Sequence, residues 1–178
     1  MLDTKDTAVV CIDLQQKLVD MLDNSDLIAS NAVKLLKASY ILNVDTIITE
    51  QYPKGLGETI SLISSIKKFD TIEKTTFSAY KTLEFKEKLD SLNKKKVVIF
   101  GIETHICVYQ TVVDLLESGY EVFVVSDCCA SRKEFNHNCA LELMKQKGAK
   151  VTTLEIALFD FLKSSKHPNF KEIQSLIK

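Results

Sequence analysis

Short uninterrupted apolar runs alternate along this chain with longer stretches in which apolar residues recur every three or four positions. The first run, Thr7-Ala8-Val9-Val10-Cys11-Ile12, ends at a carboxylate, Asp13. Runs without polar alternation suit strands covered on both faces, as in a parallel sheet. Ser25 to Asn43 then sets Leu27, Ile28, Ala32, Leu35, Leu36, Ser39 and Leu42 at helical spacing, with Ser25 as the expected N-cap. Val44 to Thr49 reads as a second strand that empties into the loop Glu50–Gly57, which holds one of two prolines and two of five glycines. A short helix is expected over Glu58–Ile66, a third strand over Thr71–Lys74, a helix over Leu83–Leu92 and a fourth strand over Val97–Phe100. Thr104 is the expected cap of a helix carrying Cys107, Val108, Thr111, Val112 and Leu115, with Gly119 as its stop. A fifth strand (Tyr120–Val125), a helix (Glu134–Lys147) closed by Gly148, a sixth strand (Lys150–Thr153) and a helix (Leu154–Leu162) follow. A helical tail, Asn169–Ile177, comes after Pro168.

Strict strand–helix alternation with short connections predicts an α/β fold: a single-domain, doubly wound, parallel six-stranded sheet with helices on both faces. No repeat, low-complexity tract or linker divides it, so residues 1–178 read as one domain. In the common order 3-2-1-4-5-6 the topological switch lies between strands one and four, and ligands bind beyond the carboxyl ends of the strands. Asp13 ends strand one there and Cys107 follows strand four. Glu50 and Lys74 end strands two and three on the same edge.

Composition narrows the partners. With 46% hydrophobic residues, a net charge of −1 and a mean hydropathy of +0.02, the chain has the profile of a globular protein. Arg132 is the sole arginine, which argues against phosphate reading and nucleic acid. No apolar stretch is long enough for a bilayer span, and Met1–Asp6 leads straight into a strand without a leader pattern. The five cysteines (Cys11, Cys107, Cys128, Cys129 and Cys139) form an odd set without metal-ligand spacing, which points to a reducing, cytoplasmic setting.

A thiol in the first turn of a helix meets orphan N–H groups and the positive end of the macrodipole, which favour thiolate. Cys107 is therefore a candidate nucleophile, against the plainer reading of a small buried hydrophobe. Asp13, in an apolar run, is a candidate general base or else a helix cap. Lys74 is a candidate for holding a carboxylate or developing anion, or else a surface lysine. His105 stands two residues before Cys107, so the two side chains diverge on a helix. His137 and His167 lack ligand partners, and no G-x-G-x-x-G follows the first strand.

Four segments carry a resemblance: Val10-Cys11-Ile12-Asp13-Leu14-Gln15, Glu73-Lys74-Thr75-Thr76-Phe77-Ser78-Ala79-Tyr80, Gly101-Ile102-Glu103-Thr104-His105-Ile106-Cys107-Val108 and Val125-Ser126-Asp127-Cys128-Cys129-Ala130-Ser131. Together, from about Asp6 to Phe161, they resemble the isochorismatase-like cysteine hydrolase superfamily. The loop Thr49–Gly57 looks like its isochorismatase domain-containing subgroup. The resemblance implies a triad of Asp13, Lys74 and Cys107. It also implies a cis peptide between Ile102 and Glu103, and an oxyanion hole from the backbone N–H groups of Glu103 and Cys107. Gln15, Glu50, Gln51, Tyr52 and Phe77 are the implied substrate-pocket residues. Nicotinamidases of this superfamily hold zinc through an Asp and two His after the second strand. Here the stretch is Glu50-Gln51-Tyr52-Pro53, so neither metal nor other cofactor is expected. True isochorismatases lack the cysteine. What remains is a thiol hydrolase of a small amide or related C–N bond, expected to form homo-oligomers. The alternatives are a binding protein that has kept the fold, and a redox-sensing thiol with Cys11 as resolving partner.

Overall fold

β1 (Thr7–Ile12) is buried along its whole length, as its unbroken apolar run requires. In this computed structural model, which describes residues 1–178, β1 lies between β2 (Asp45–Gln51) and β4 (Lys96–Ile102) and is parallel to both. β3 (Asp70–Lys74) flanks β2, while β5 (Glu121–Ala130) and β6 (Lys150–Thr152) extend the sheet beyond β4. The order is β3-β2-β1-β4-β5-β6. The reversal thus falls between β1 and β4, where the sequence put it.

The connections hold α1 (Gln16–Val19), α2 (Ser25–Ile41), α3 (Pro53–Leu56), α4 (Ser61–Ser64), α5 (Leu83–Ser91), α6 (Tyr109–Glu117), α7 (Glu134–Gln146), α8 (Leu154–Leu162) and α9 (Phe170–Leu176). α2 packs with α8 and α9, and α6 with α7, so both faces of the sheet are covered. No helix is long and apolar enough to cross a membrane.

Several elements depart from the pattern. Asn24, not Ser25, occupies the N-cap position of α2, and Leu27 is exposed. The helix expected over Glu58–Ile66 shrinks to the single turn α4, because Thr59 leaves the helical path to form a bridge with Gln15. β5 runs five residues past Val125, and its polar Ser126 and Asp127 are satisfied there. Ser126 Oγ donates to the Thr152 carbonyl (2.9 Å), and Asp127 Oδ1 accepts from the Leu154 N–H (2.7 Å). The β4–β5 register shifts between Ile99 and Gly101. Gly101 has φ +126°, and a Cβ there would lie 2.1 Å from the Ile12 carbonyl oxygen. Only glycine lets β4 approach β1 so closely at the switch point.

Candidate active site

Asp13 follows β1 directly and turns the chain sharply, with φ 51°. Its N–H still donates to the Thr49 carbonyl (3.1 Å), adding one rung to the β1–β2 ladder, and its carbonyl accepts from the Gln15 N–H (2.7 Å). Asp is among the few side chains that tolerate this left-handed geometry. The carboxylate is fully buried and has two donors. Thr49 Oγ1 donates to Oδ1 at 2.7 Å, and Lys74 Nζ donates to Oδ2 at 2.6 Å. Lys74, at the end of β3, reaches across the top of β2 to do this. Its ammonium also donates to Gln51 Oε1 (2.7 Å) and to the carbonyls of Thr76 and Phe77 (3.2 Å each). Both side chains are sealed from solvent. A buried pair this well satisfied is not left to chance by packing, since unpaired it would be strongly destabilising.

Cys107 arrives from the other side of the switch point. The Ile102–Glu103 peptide is cis, and the Glu103 carbonyl then accepts from the N–H groups of Ile106 (3.1 Å) and Val108 (3.3 Å). The second bond spans five residues, so Thr104–Val108 is a wide π-type turn rather than the start of an α-helix. Thr104 does not cap it; Thr104 Oγ1 instead meets His137 Nδ1 at 2.9 Å. Thr111 Oγ1 donates to the Cys107 carbonyl (2.7 Å) and accepts from the Ala79 N–H (2.9 Å), tying the cysteine to the loop after Lys74. The Cys107 thiol is 7% exposed and lies where both Asp13 and Lys74 act on its acidity.

The direction of that effect corrects the helix-terminus argument. Burial pushes the thiol up to about 12, the Asp13 charge pushes the same way, and Lys74 offsets only part. The thiol therefore keeps its proton at neutral pH, with the Asp13 carboxylate beside it.

The remaining expected residues divide. Gln51 Oε1 accepts from Lys74, and its Nε2 donates to the Thr75 carbonyl (3.0 Å). Gln15 is buried and its amide is spent on backbone: Nε2 donates to the carbonyls of Gln51 (3.0 Å) and Gly57 (2.5 Å), and Oε1 accepts from the Gln51 N–H (2.7 Å). Glu50 accepts from the N–H and hydroxyl of Thr59, both at 2.6 Å. Both side chains thus shape the 50–59 loop from within. Tyr52 is exposed and lays its ring against Gly55. Phe77 is exposed too, and lines a cavity of about 420 Å³ with Tyr109 and Val113 of α6. A larger cavity, of about 620 Å³, lies away from the triad beside β3, and Glu50 alone of the expected residues lines it. Thr49 and Thr111 were not foreseen, although the first sits one rung from Asp13 and the second one helical turn past Cys107. Cys11 is fully buried in β1.

The model of the Isochorismatase domain family matches residues 7–156. The chain belongs to the isochorismatase family. Among curated members it is 39% identical over 179 residues to isochorismatase domain-containing protein 2 of Xenopus laevis, covering 99% of this chain and 85% of that protein. Among solved structures, the MAR1 ribonuclease of Caenorhabditis elegans superposes with a TM-score of 0.93 at 36% identity, covering 99% of this chain and 91% of that one. YcaC of Escherichia coli, described as an octameric hydrolase of unknown specificity, gives a TM-score of 0.89 at 22% identity over 98% and 94% of the two chains, a likeness of fold. Membership of the isochorismatase family supports a hydrolase. The buried acid–amine pair beside a protonated thiol can do the chemistry such an enzyme needs.

Proposed function

We propose that this isochorismatase-family chain is a metal-independent cysteine hydrolase that opens a small-molecule amide or related C–N bond through a thioester-type intermediate. The observation that carries the reading is the fully buried Asp13–Lys74 pair at 2.6 Å, with the Cys107 thiol under the influence of both. Such an arrangement serves no packing purpose that apolar residues would not serve better.

The steps follow from the positions. Cys107 Sγ attacks the carbonyl carbon as its proton passes to Asp13, so sulfur need not ionise in advance. The oxygen takes up the electron pair and is held by the backbone N–H groups of Glu103 and Cys107. When the C–N bond breaks, the electron pair leaves with nitrogen and Asp13 returns the proton to the departing amine. Water then attacks the thioester, giving its proton to Asp13, and sulfur leaves, regaining that proton as the free acid departs. Lys74 keeps Asp13 oriented throughout. The reading includes self-association, which light scattering tests. It also includes a cytosolic setting, supported by five cysteines that are all free.

The test is a panel of small neutral amides assayed for released amine, with the Cys107→Ala variant as blank and RNA incubated in parallel. The expected outcome is amide turnover that vanishes in the variant. RNA cleavage without amide turnover, or amide turnover that survives Cys107→Ala, overturns the reading.

A further inference from the structure

Three consecutive residues of the turn that leads to Cys107 each hold the same neighbouring segment, 131–137. The Glu103 carboxylate accepts from the Arg132 N–H (2.9 Å) and from Arg132 Nε (3.1 and 3.2 Å). Thr104 Oγ1 meets His137 Nδ1 at 2.9 Å, and His105 Nδ1 meets Ser131 Oγ at 2.9 Å. The Glu103 side chain is only 8% exposed although no step of the proposed reaction uses its carboxylate. A carboxylate taken out of water is costly unless well paired, and both of its donors belong to the chain's one arginine. Thr104 is fully buried and His137 half-buried, so the second link is also shielded.

We propose that Arg132 and His137 are positioning residues, which aim the oxyanion-binding N–H groups of the 103–107 turn without touching substrate. The inference rests on the hydrolase reading and adds residues to it. Its physical core is a division of labour within one turn. The 103–105 backbone is fixed from the 131–137 side, whereas the Cys107 carbonyl is fixed from the opposite side by Thr111 and Ala79. Oxyanion donors act only within about 0.4 Å of their working distance, and a displacement near 1 Å costs on the order of 100-fold in rate. Releasing the 131–137 links therefore harms the step in which negative charge grows on oxygen. The Cys107 backbone stays where Thr111 holds its carbonyl.

That division suggests two probes. p-Nitrophenyl acetate reacts through a tetrahedral oxyanion; iodoacetamide alkylates sulfur directly and forms none. Both are applied to the full chain carrying Cys139→Ser, which removes the exposed thiol. Arg132→Ala and His137→Ala are expected to lower kcat for the ester by about tenfold or more with KM within about twofold. The rate of Cys107 alkylation is expected to stay within about twofold of the parent. His137→Asn, whose amide reaches the Nδ1 position, should recover most of the loss. Arg132→Lys should recover little, because an ammonium lacks the fixed Nε–H. Ester turnover equal to the parent in both alanine variants overturns the proposal, as does alkylation that falls in step with turnover. If Arg132→Ala fails to fold, the His137 pair decides the matter alone. A parent without Cys107-dependent ester turnover sinks the hydrolase reading and this inference together, a result distinct from an active parent with indifferent variants.

Discussion

Raising the pH above 9 should destabilise this protein through its thiols. Cys11, Cys107, Cys128 and Cys129 are all buried, and burial is the leading cause that lifts each one above the ordinary value of 9.0. Cys107 and Cys129 are pushed up to about 12, and Cys11 and Cys128 well above 9.0. The unfolded chain loses these protons near pH 9.0, whereas the folded chain keeps them. Above that pH the folded state binds more protons, so its stability falls as pH rises; the contribution is whole below 9.0 and drains away toward 12. Each retained proton makes the slope steeper by about 1.4 kcal/mol per pH unit. By pH 10 the two thiols held up to about 12 together remove about 3 kcal/mol, and Cys11 and Cys128 act in the same direction. The assay is urea denaturation under reducing conditions, followed by far-UV circular dichroism between pH 7 and pH 10. The parent midpoint should fall over the last unit, and Cys129→Ala should make the slope shallower by about 1.4 kcal/mol per unit at most. A stability loss above pH 9 shallower than about 1.4 kcal/mol per unit, one thiol's worth, would refute the reasoning.

Three substitutions probe the site and its support. Asp13→Asn should slow turnover by about 100-fold or more, as expected for a lost general base, and parent-like turnover would remove Asp13 from that role. Lys74→Met should cost about 3–5 kcal/mol in denaturant titrations, since it leaves the buried Asp13 carboxylate without its cation, and a loss below about 1 kcal/mol would show the pair to be solvated. Gly101→Ala should cost about 3–5 kcal/mol or prevent folding, combining a left-handed backbone with a Cβ 2.1 Å from the Ile12 carbonyl oxygen. A variant with a parent-like midpoint would refute the close β1–β4 approach.

The strand order was legible because apolar runs such as Thr7–Ile12 and Val97–Phe100 admit few topologies once helices alternate between them. The meeting of Asp13, Lys74 and Cys107 followed from the same edge-of-sheet reasoning joined to family resemblance. Local chemistry was harder to read. Gln15 and Glu50 carry groups suited to a substrate, yet they fasten the 50–59 loop, and no one-dimensional pattern distinguishes an amide aimed at solvent from one aimed at backbone. Thr104 has the composition of a cap, but its hydroxyl meets His137, thirty-three residues on. The acidity of Cys107 was misjudged for a related reason. Position near a helix start was visible, whereas burial beside Asp13 arises only when β1 and β4 lie side by side. The extra length of β5 was hidden by Ser126 and Asp127, whose partners Thr152 and Leu154 lie more than twenty residues away.

Lys74 carries one further consequence. An acyl group resting on sulfur is a good donor to any free amine nearby, and transfer from a thioester to nitrogen yields an amide that water does not readily undo. An enzyme with a lysine beside its acylated cysteine would therefore risk sealing its own site a little with each turnover. Here Lys74 Nζ lies within hydrogen-bond distance of four oxygens, those of Asp13, Gln51, Thr76 and Phe77, which hold it away from any acyl group on sulfur. Under the proposed mechanism, the cage that holds the lysine in place would also keep it from becoming an acceptor of the acyl group.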